Sequence, residues 1–244
     1  MNQHVTISTS KIFLFDVDGT LTPAREKMTD GFYSFFQKWA RDKTVYLVSG
    51  SDYEKLQEQL PLSLLESLSG IFCCMGSVLY VEGKLIHKHD FDPPPELINY
   101  LHDCLASSSY DVRTGNHLER RIGMLNFSIV GRNSTLKQRK TYHNHDALVK
   151  ERETIANYIN DDANFKDIGA TVGGEISIDI YPIGLDKSQV LRYIKGREYI
   201  FFGDKIFPGG NDYALGHALE KHNSTLHCVK DYNETLELIK EKYV

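Results

Sequence analysis

Apolar and polar positions change rhythm several times along this chain. Compact apolar runs at 11–15, 45–48 and 71–74 read as buried strands. Between them, 29–40 sets Phe32, Phe35, Phe36 and Trp39 on one helical face, with Thr29 or Asp30 as the cap. A second helix follows at 52–60. Strand–helix–strand alternation predicts a parallel α/β sheet. "SVLYVEGKLIHK" then carries a hairpin signal that turns at Glu82-Gly83.

After "FDPPPEL" the pattern is different. Its three consecutive prolines mark a boundary or a rigid connector. A helix at 96–106 carries Leu97, Ile98, Leu101 and Leu105, which serve either a core or an interface. "LERRIGMLNFSIVG" and "ATVGGEISIDIYP" read as strands of an antiparallel sheet, flanking a long polar helix at 146–160. From 186 the α/β rhythm resumes, with helices at 187–195, 213–221 and 234–242 and strands at 199–202 and 225–229. The predicted fold class is therefore α/β: a Rossmann-like core of residues 1–85 and 185–244, interrupted by an α+β cap of residues 86–184. Insertion through exposed connections is well tolerated.

With 41% hydrophobic residues, 244 positions can bury one large core or two smaller ones. A net charge of −5 gives no basic footprint for nucleic acid. No apolar run approaches the roughly 18 residues that cross a bilayer, so no membrane partner is expected. "MNQHVTISTSK" has no secretory h-region. Cys73, Cys74, Cys104 and Cys228 form no CxxC and no metal spacing, which suits a reducing, cytoplasmic setting. The pairs His87/His89 and His143/His145 lack accompanying ligands and read as ordinary surface or capping groups.

The chemistry concentrates at predicted strand ends. "FLFDVDGTLT" ends its apolar run with Asp16 and Asp18, two residues apart and so on one side of a strand. In parallel α/β sheets that is where ligands bind. Two close carboxylates repel unless a cation joins them, and Mg²⁺ is the usual companion of carboxylate and phosphate. Gly19 and Thr20 amides can line a phosphate cradle. An Asp-Gly turn is the plainer explanation of the motif alone. It is followed, however, by Ser49-Gly50-Ser51 after the second strand, by Lys187 at a helix start, where a cation opposes the helix dipole, and by Asp204 and Asp212 in "FFGDKIFPGGND".

Carboxylates, hydroxyl, lysine and carboxylates in that order resemble the haloacid dehalogenase superfamily of phosphotransferases. More closely, the chain resembles its eukaryotic phosphomannomutases, over essentially its full length, through "LFDVDGTLT", "GSDYEKLQEQL", "GMLNFSIVGR", "GGEISIDIYP" and "FFGDKIFPGGND". The resemblance implies Asp16 as the nucleophile that forms an aspartyl phosphate, and Asp18 as general acid/base. It implies Mg²⁺ held by Asp16, Asp204 and the Asp18 carbonyl, with Ser49 and Lys187 on the transferring phosphoryl group. Asp212 would orient Lys187 and the metal shell rather than touch the metal.

The insertion bears on the choice between mutase and phosphatase. Its Arg121, Arg132 and Arg139 match the family's cap arginines for the substrate phosphate. Ser177 and Asp179 alternate along one strand face as sugar-hydroxyl ligands would, and Arg25 completes the implied set. A hexose bisphosphate with one phosphate at Asp16 needs the other held far away. The expectation is a phosphomannomutase that interconverts mannose 6-phosphate and mannose 1-phosphate, with a hexose bisphosphate as activator, in support of GDP-mannose synthesis. The resemblance further implies a homodimer joined through cap domains. The alternative is a sugar-phosphate phosphatase of the same superfamily. A receiver-like signalling domain fits less well, because Asp18 and a large cap have no place in it.

Overall fold

The computed structural model describes residues 11–244; the N-terminal stretch read above for targeting signals otherwise lies outside them. Seven strands form one sheet: β1 (Lys11–Phe15), β2 (Thr44–Val48), β3 (Gly70–Cys73), β4 (Val78–Val81), β5 (Lys84–Lys88), β10 (Glu198–Gly203) and β11 (Ser224–Cys228). Their order is β11-β10-β1-β2-β3-β4-β5. The first five in that order run parallel, and β3-β4-β5 are antiparallel neighbours. The β4–β5 turn sits at Glu82 and Gly83 as predicted, both with positive φ.

Both faces of β10, β1, β2 and β3 are covered, which is why these central strands are almost continuously apolar, whereas the edge strands β5 and β11 are partly exposed. Phe13, Phe15, Val45, Leu47 and Ile71 pack beneath α1 (Asp30–Ala40), α2 (Tyr53–Gln59), α3 (Leu62–Ser67) and α8 (Tyr232–Lys242). Ile12, Leu14, Tyr46, Val48 and Phe72 pack against α7 (Tyr213–Leu219) and a 3-10 segment, Lys187–Arg192. Thr29 and Asp52 cap α1 and α2 through their side chains.

β6 (Leu118–Arg121), β7 (Met124–Phe127), β8 (Ile168–Gly173) and β9 (Ser177–Pro182) make a separate antiparallel sheet, ordered β6-β7-β9-β8. Leu125, Phe127, Ile178 and Ile180 face α4 (Pro95–Ser107), α5 (Leu136–Val149) and α6 (Glu151–Asp161). Leu97 and Leu101 are buried in this cap core, and Ile98 and Leu105 pack against it, so the apolar face of α4 belongs there. The opposite sheet face carries Asn126, Ser177 and Asp179, and looks at the seven-stranded domain.

Four expectations need correction. The single helix at 146–160 is two helices, because Lys150 adopts a left-handed conformation (φ 59°). Asp146 explains the restart: its carboxylate accepts from the Arg152 amide (2.9 Å) and pairs with the Arg152 Nε (2.7 Å), both buried. Helix 187–195 is only the short 3-10 segment. Its cap is Asp186, which accepts from the Ser188 amide (2.8 Å), so the acid favoured at a helix start is present one residue before Lys187. The helix α3 was not expected, and β5 stays in the core sheet through Lys88, so the drawn junction at 85/86 falls inside a strand.

Candidate active site

β1 delivers Asp16 to the cleft, and the Asp16 amide continues the ladder by bonding to the Phe202 carbonyl (2.9 Å). Asp16 and Asp18 both line the cleft, as their spacing predicts, but they meet different partners. Asp16 Oδ1 accepts from the Lys187 Nζ (2.5 Å), and Thr20 Oγ1 lies 3.4 Å from Oδ2. Asp18 Oδ1 accepts from the Arg25 amide (2.7 Å) and the Gln59 Nε2 (2.9 Å). Among the described residues, Asp18 Oδ2 has only the Ser51 hydroxyl at 3.4 Å. Gly19, the residue after Asp18, has φ +86°, and a Cβ there would lie 2.8 Å from Asp204 Oδ2, so a side chain is excluded twice over. Ser49 is buried beside them, its Oγ accepting from the Ser51 amide (3.0 Å).

Lys187 is fully buried and bridges Asp16 and Asp212, at 2.7 Å from Asp212 Oδ1. Asp212 Oδ2 accepts from the Lys205 amide (3.1 Å), and Lys205 Nζ pairs with Asp204 Oδ2 (2.9 Å). Burial pushes the Asp16 carboxyl well above its ordinary range; Lys187 opposes this, and Asp212 and Asp204 add to it. Burial likewise raises Asp204 against the pull of Lys205. Burial would lower Lys187, but Asp16 and Asp212 outweigh it and hold the ammonium charged.

One oxygen each from Asp16, Asp204 and Asp212 lies within 4.8 Å of the others. This donor set fits a hard divalent cation such as Mg²⁺. Both Asp212 oxygens are already engaged by Lys187 and Lys205. Asp16 Oδ2 has only the distant Thr20 hydroxyl, and Asp204 Oδ1 has no hydrogen-bond partner among the described residues. The two carboxylates with free oxygens are thus Asp16 and Asp204.

The cap supplies the facing wall. Arg121, Arg139, Ser177 and Asp179 of the cap line the cleft, together with Arg25 from the loop after β1; Arg132 stands behind it and donates from Nη1 to the Ser177 Oγ (2.9 Å). Arg121 crosses to the catalytic domain and donates from Nη1 to the Gly50 carbonyl (2.6 Å). Arg139 is partly committed to backbone: Nε and Nη2 hold the Ser134 and Arg132 carbonyls (3.0 and 2.8 Å). Burial and the nearby Arg25 lower its pKa. Asn126 donates to Asp179 Oδ1 (2.7 Å), its cross-strand partner. A cavity of about 40 Å³ remains between the walls, room for roughly three waters at 10–15 Å³ each.

Sequence reasoning did not find Gln59, Glu119, Asn126 or Lys205. Asn126 had a signal, a polar residue between apolar neighbours on a strand, whereas the partners of Gln59 and Glu119 are fixed by folding alone.

A sequence model described as eukaryotic phosphomannomutase matches residues 32–244. The chain belongs to that family. It is 35% identical over 236 residues to a phosphomannomutase from Dendrobium officinale, covering 94% of this chain and 92% of the relative. A phosphomannomutase from Galdieria sulphuraria is 34% identical over 240 residues, covering 92% and 96%. Among solved structures, a haloacid dehalogenase-like hydrolase from Bacteroides thetaiotaomicron superposes with a TM-score of 0.56 at 14% identity, over 96% of this chain and 100% of the other. An IMP-nucleotidase from Plasmodium falciparum gives 0.62 at 15%, over 95% and 67%. These two similarities establish the haloacid dehalogenase fold and nothing finer.

Proposed function

We propose that this phosphomannomutase-family chain interconverts mannose 6-phosphate and mannose 1-phosphate through a phosphoryl group carried on Asp16. The observation that carries this reading is one cleft with two unlike walls: a lysine-bound carboxylate at a strand end, faced by cap arginines. Phosphoryl transfer needs little beyond positioning and charge neutralisation. Asp16 attacks phosphorus as the bond to the sugar oxygen breaks. Asp18, held on Oδ1 by Arg25 and Gln59, has its second oxygen free to hand that sugar oxygen a proton. The phosphoryl group on Asp16 then passes to the free hydroxyl of a bound sugar monophosphate, which gives its proton to Asp18 as the bond from phosphorus to Asp16 breaks. The bisphosphate so formed turns end over end and gives its other phosphate to Asp16 in the same way, leaving the isomeric monophosphate.

Asp16 and Asp204 would hold Mg²⁺, with the Asp18 carbonyl. The ion supplies charge for the phosphate oxygens. Ser49 and Lys187 sit on the transferring group, Lys187 aimed by Asp212. Arg121, Arg132, Arg139 and Arg25 hold the phosphate that does not react, and Ser177 and Asp179 face the sugar. A hexose bisphosphate primes Asp16. Adjacent buried Cys73 and Cys74, both free thiols, suit a reducing cytoplasm, where mannose 1-phosphate would serve GDP-mannose synthesis.

The test is a coupled assay of mannose 1-phosphate with Mg²⁺, with and without a hexose bisphosphate, alongside free phosphate. Isomerisation stimulated by the bisphosphate is expected. Phosphate release with no isomerisation overturns the reading in favour of a phosphatase.

A further inference from the structure

Glu119 lies on β6, the edge strand of the cap sheet, and has no place in the mechanism above. Its register partner is Asn126, whose own partner is Asp179, so the three residues form one row across β6, β7 and β9. At the end of that row Glu119 gathers three cations. Arg121 Nε donates to Oε1 (2.6 Å) and Arg132 Nε to Oε2 (3.1 Å). Lys55, from α2 of the catalytic domain, reaches the same carboxylate. The Lys55 ammonium also lies 3.2 Å from Asp52 Oδ2, and Arg121 Nε lies 3.9 Å from that oxygen. The Arg121 and Arg132 side chains are only 4% and 5% exposed. Two buried guanidinium groups repel unless an anion separates them.

We infer that Glu119 is a positioning residue: it fixes Arg121 and Arg132 side by side for the distal phosphate and, through Lys55, ties that pair to the catalytic domain. The inference rests on the mutase reading above. Glu119 takes the Nε edges of both guanidinium groups. Arg121 Nη2 also lies 2.5 Å from Glu119 Oε1 and its Nη1 is on the Gly50 carbonyl, whereas Arg132 Nη2 is buried with no hydrogen-bond partner among the described residues, so the donor left for a phosphate while Glu119 stays in place is on Arg132. Burial would raise the Glu119 carboxyl, but Arg121 and Lys55 more than offset this and keep it ionised. A carboxylate that merely competed with phosphate would leave the arginines freer when removed; one that aligns them leaves them misdirected.

The two roles have opposite signs in Glu119→Gln, which keeps the shape and removes the charge. Positioning predicts weaker mannose 1-phosphate binding by calorimetry with Mg²⁺ present, and about a 10-fold loss in kcat/KM carried by KM, the scale seen when an aligning partner is lost. Glu119→Asp should recover part of it. In an Arg132→Ala background the same change should cost much less, because its effect passes through Arg132. Acetyl phosphate hydrolysis, run on each preparation, measures any general loss from misfolding. If Arg132→Ala itself leaves KM unchanged, the reading of the cap arginines fails. If Arg132→Ala weakens binding but Glu119→Gln does not, tightens it, or is fully additive with it, this inference alone is overturned.

Discussion

On the catalytic side of the cleft, charge is matched within one domain and out of water. Lys187 meets Asp16 and Asp212, and all three are buried. On the cap side, charge is matched across the gap: Arg121 reaches Gly50 and Glu119 reaches Lys55. The first arrangement is preorganised for a group that arrives at one place in every turnover. The second is made of contacts that span the gap, and those contacts must part for a sugar phosphate to enter, turn and leave. A mutase needs both kinds of wall. Its chemistry must not move, while its sugar must be released far enough to turn around.

The sharpest way to break this contrast is at Asp16. Asp16→Asn preserves volume and removes the proposed nucleophile. A loss of about 10⁴-fold or more in isomerisation is expected, since removing a covalent nucleophile costs on that order. Rapid acid quench after incubation with labelled bisphosphate should recover no label on protein. Wild-type labelling in this variant would remove Asp16 from the chemistry.

Lys187→Met probes the same wall through stability. It leaves Asp16 and Asp212 buried without their shared cation, and breaking a buried pair costs about 3–5 kcal/mol. Denaturant unfolding of the Mg²⁺-free protein should show that loss. A loss under about 1 kcal/mol, the range of an exposed pair, would mean that the lysine is not the core's internal counter-charge.

The cap wall should respond differently. Arg121→Ala or Arg132→Ala removes charge-assisted contacts worth roughly 1.5–3 kcal/mol each. That is about 10- to 150-fold in kcat/KM for sugar phosphate, read from initial rates. Acetyl phosphate, with no distal phosphate, should lose far less. Equal losses on both substrates would erase the distinction between the walls.

The two walls were also unequally legible in the sequence. Asp16, Asp18, Ser49, Lys187, Asp204 and Asp212 stand at strand ends or helix starts, where local pattern fixes position, and the structure brings all six together. The cap arginines were read from sequence as phosphate ligands; the structure puts Arg121 and Arg139 on the cleft and Arg132 behind Ser177, with Arg139 half committed to carbonyls. What was illegible depends on partners far apart in the chain. Glu119 and Lys55 are 64 residues apart, Gln59 and Asp18 are 41 apart, and no periodicity links them. The break at Lys150 was hidden for a related reason. It follows from a buried Asp146–Arg152 pair that looks, in sequence, like ordinary charges on a polar helix.

The smallest expected effect sharpens the comparison through pH. In the folded, cation-free chain, burial raises Asp16, Asp204 and Asp179 above the ordinary aspartate value of 3.8. A folded-state pKa above the unfolded value means that the folded chain keeps protons the unfolded chain has released. The stabilisation from those groups is complete below about pH 3.8 and is lost as pH rises through the folded values. At neutral pH the catalytic wall therefore carries carboxylate charge that a cation would relieve. Mg²⁺ at ten times its dissociation constant adds about 1.4 kcal/mol, which for a chain of this size is about 3–6 °C in Tm. Thermal scans at pH 7.5 should show that shift. At pH 5 it should shrink, because protons then compete for the same oxygens. Asp204→Ala should abolish it at both pH values, whereas Arg132→Ala, on the other wall, should leave it intact. A Mg²⁺ shift that is independent of pH, or that survives Asp204→Ala, would place the cation somewhere other than between Asp16 and Asp204.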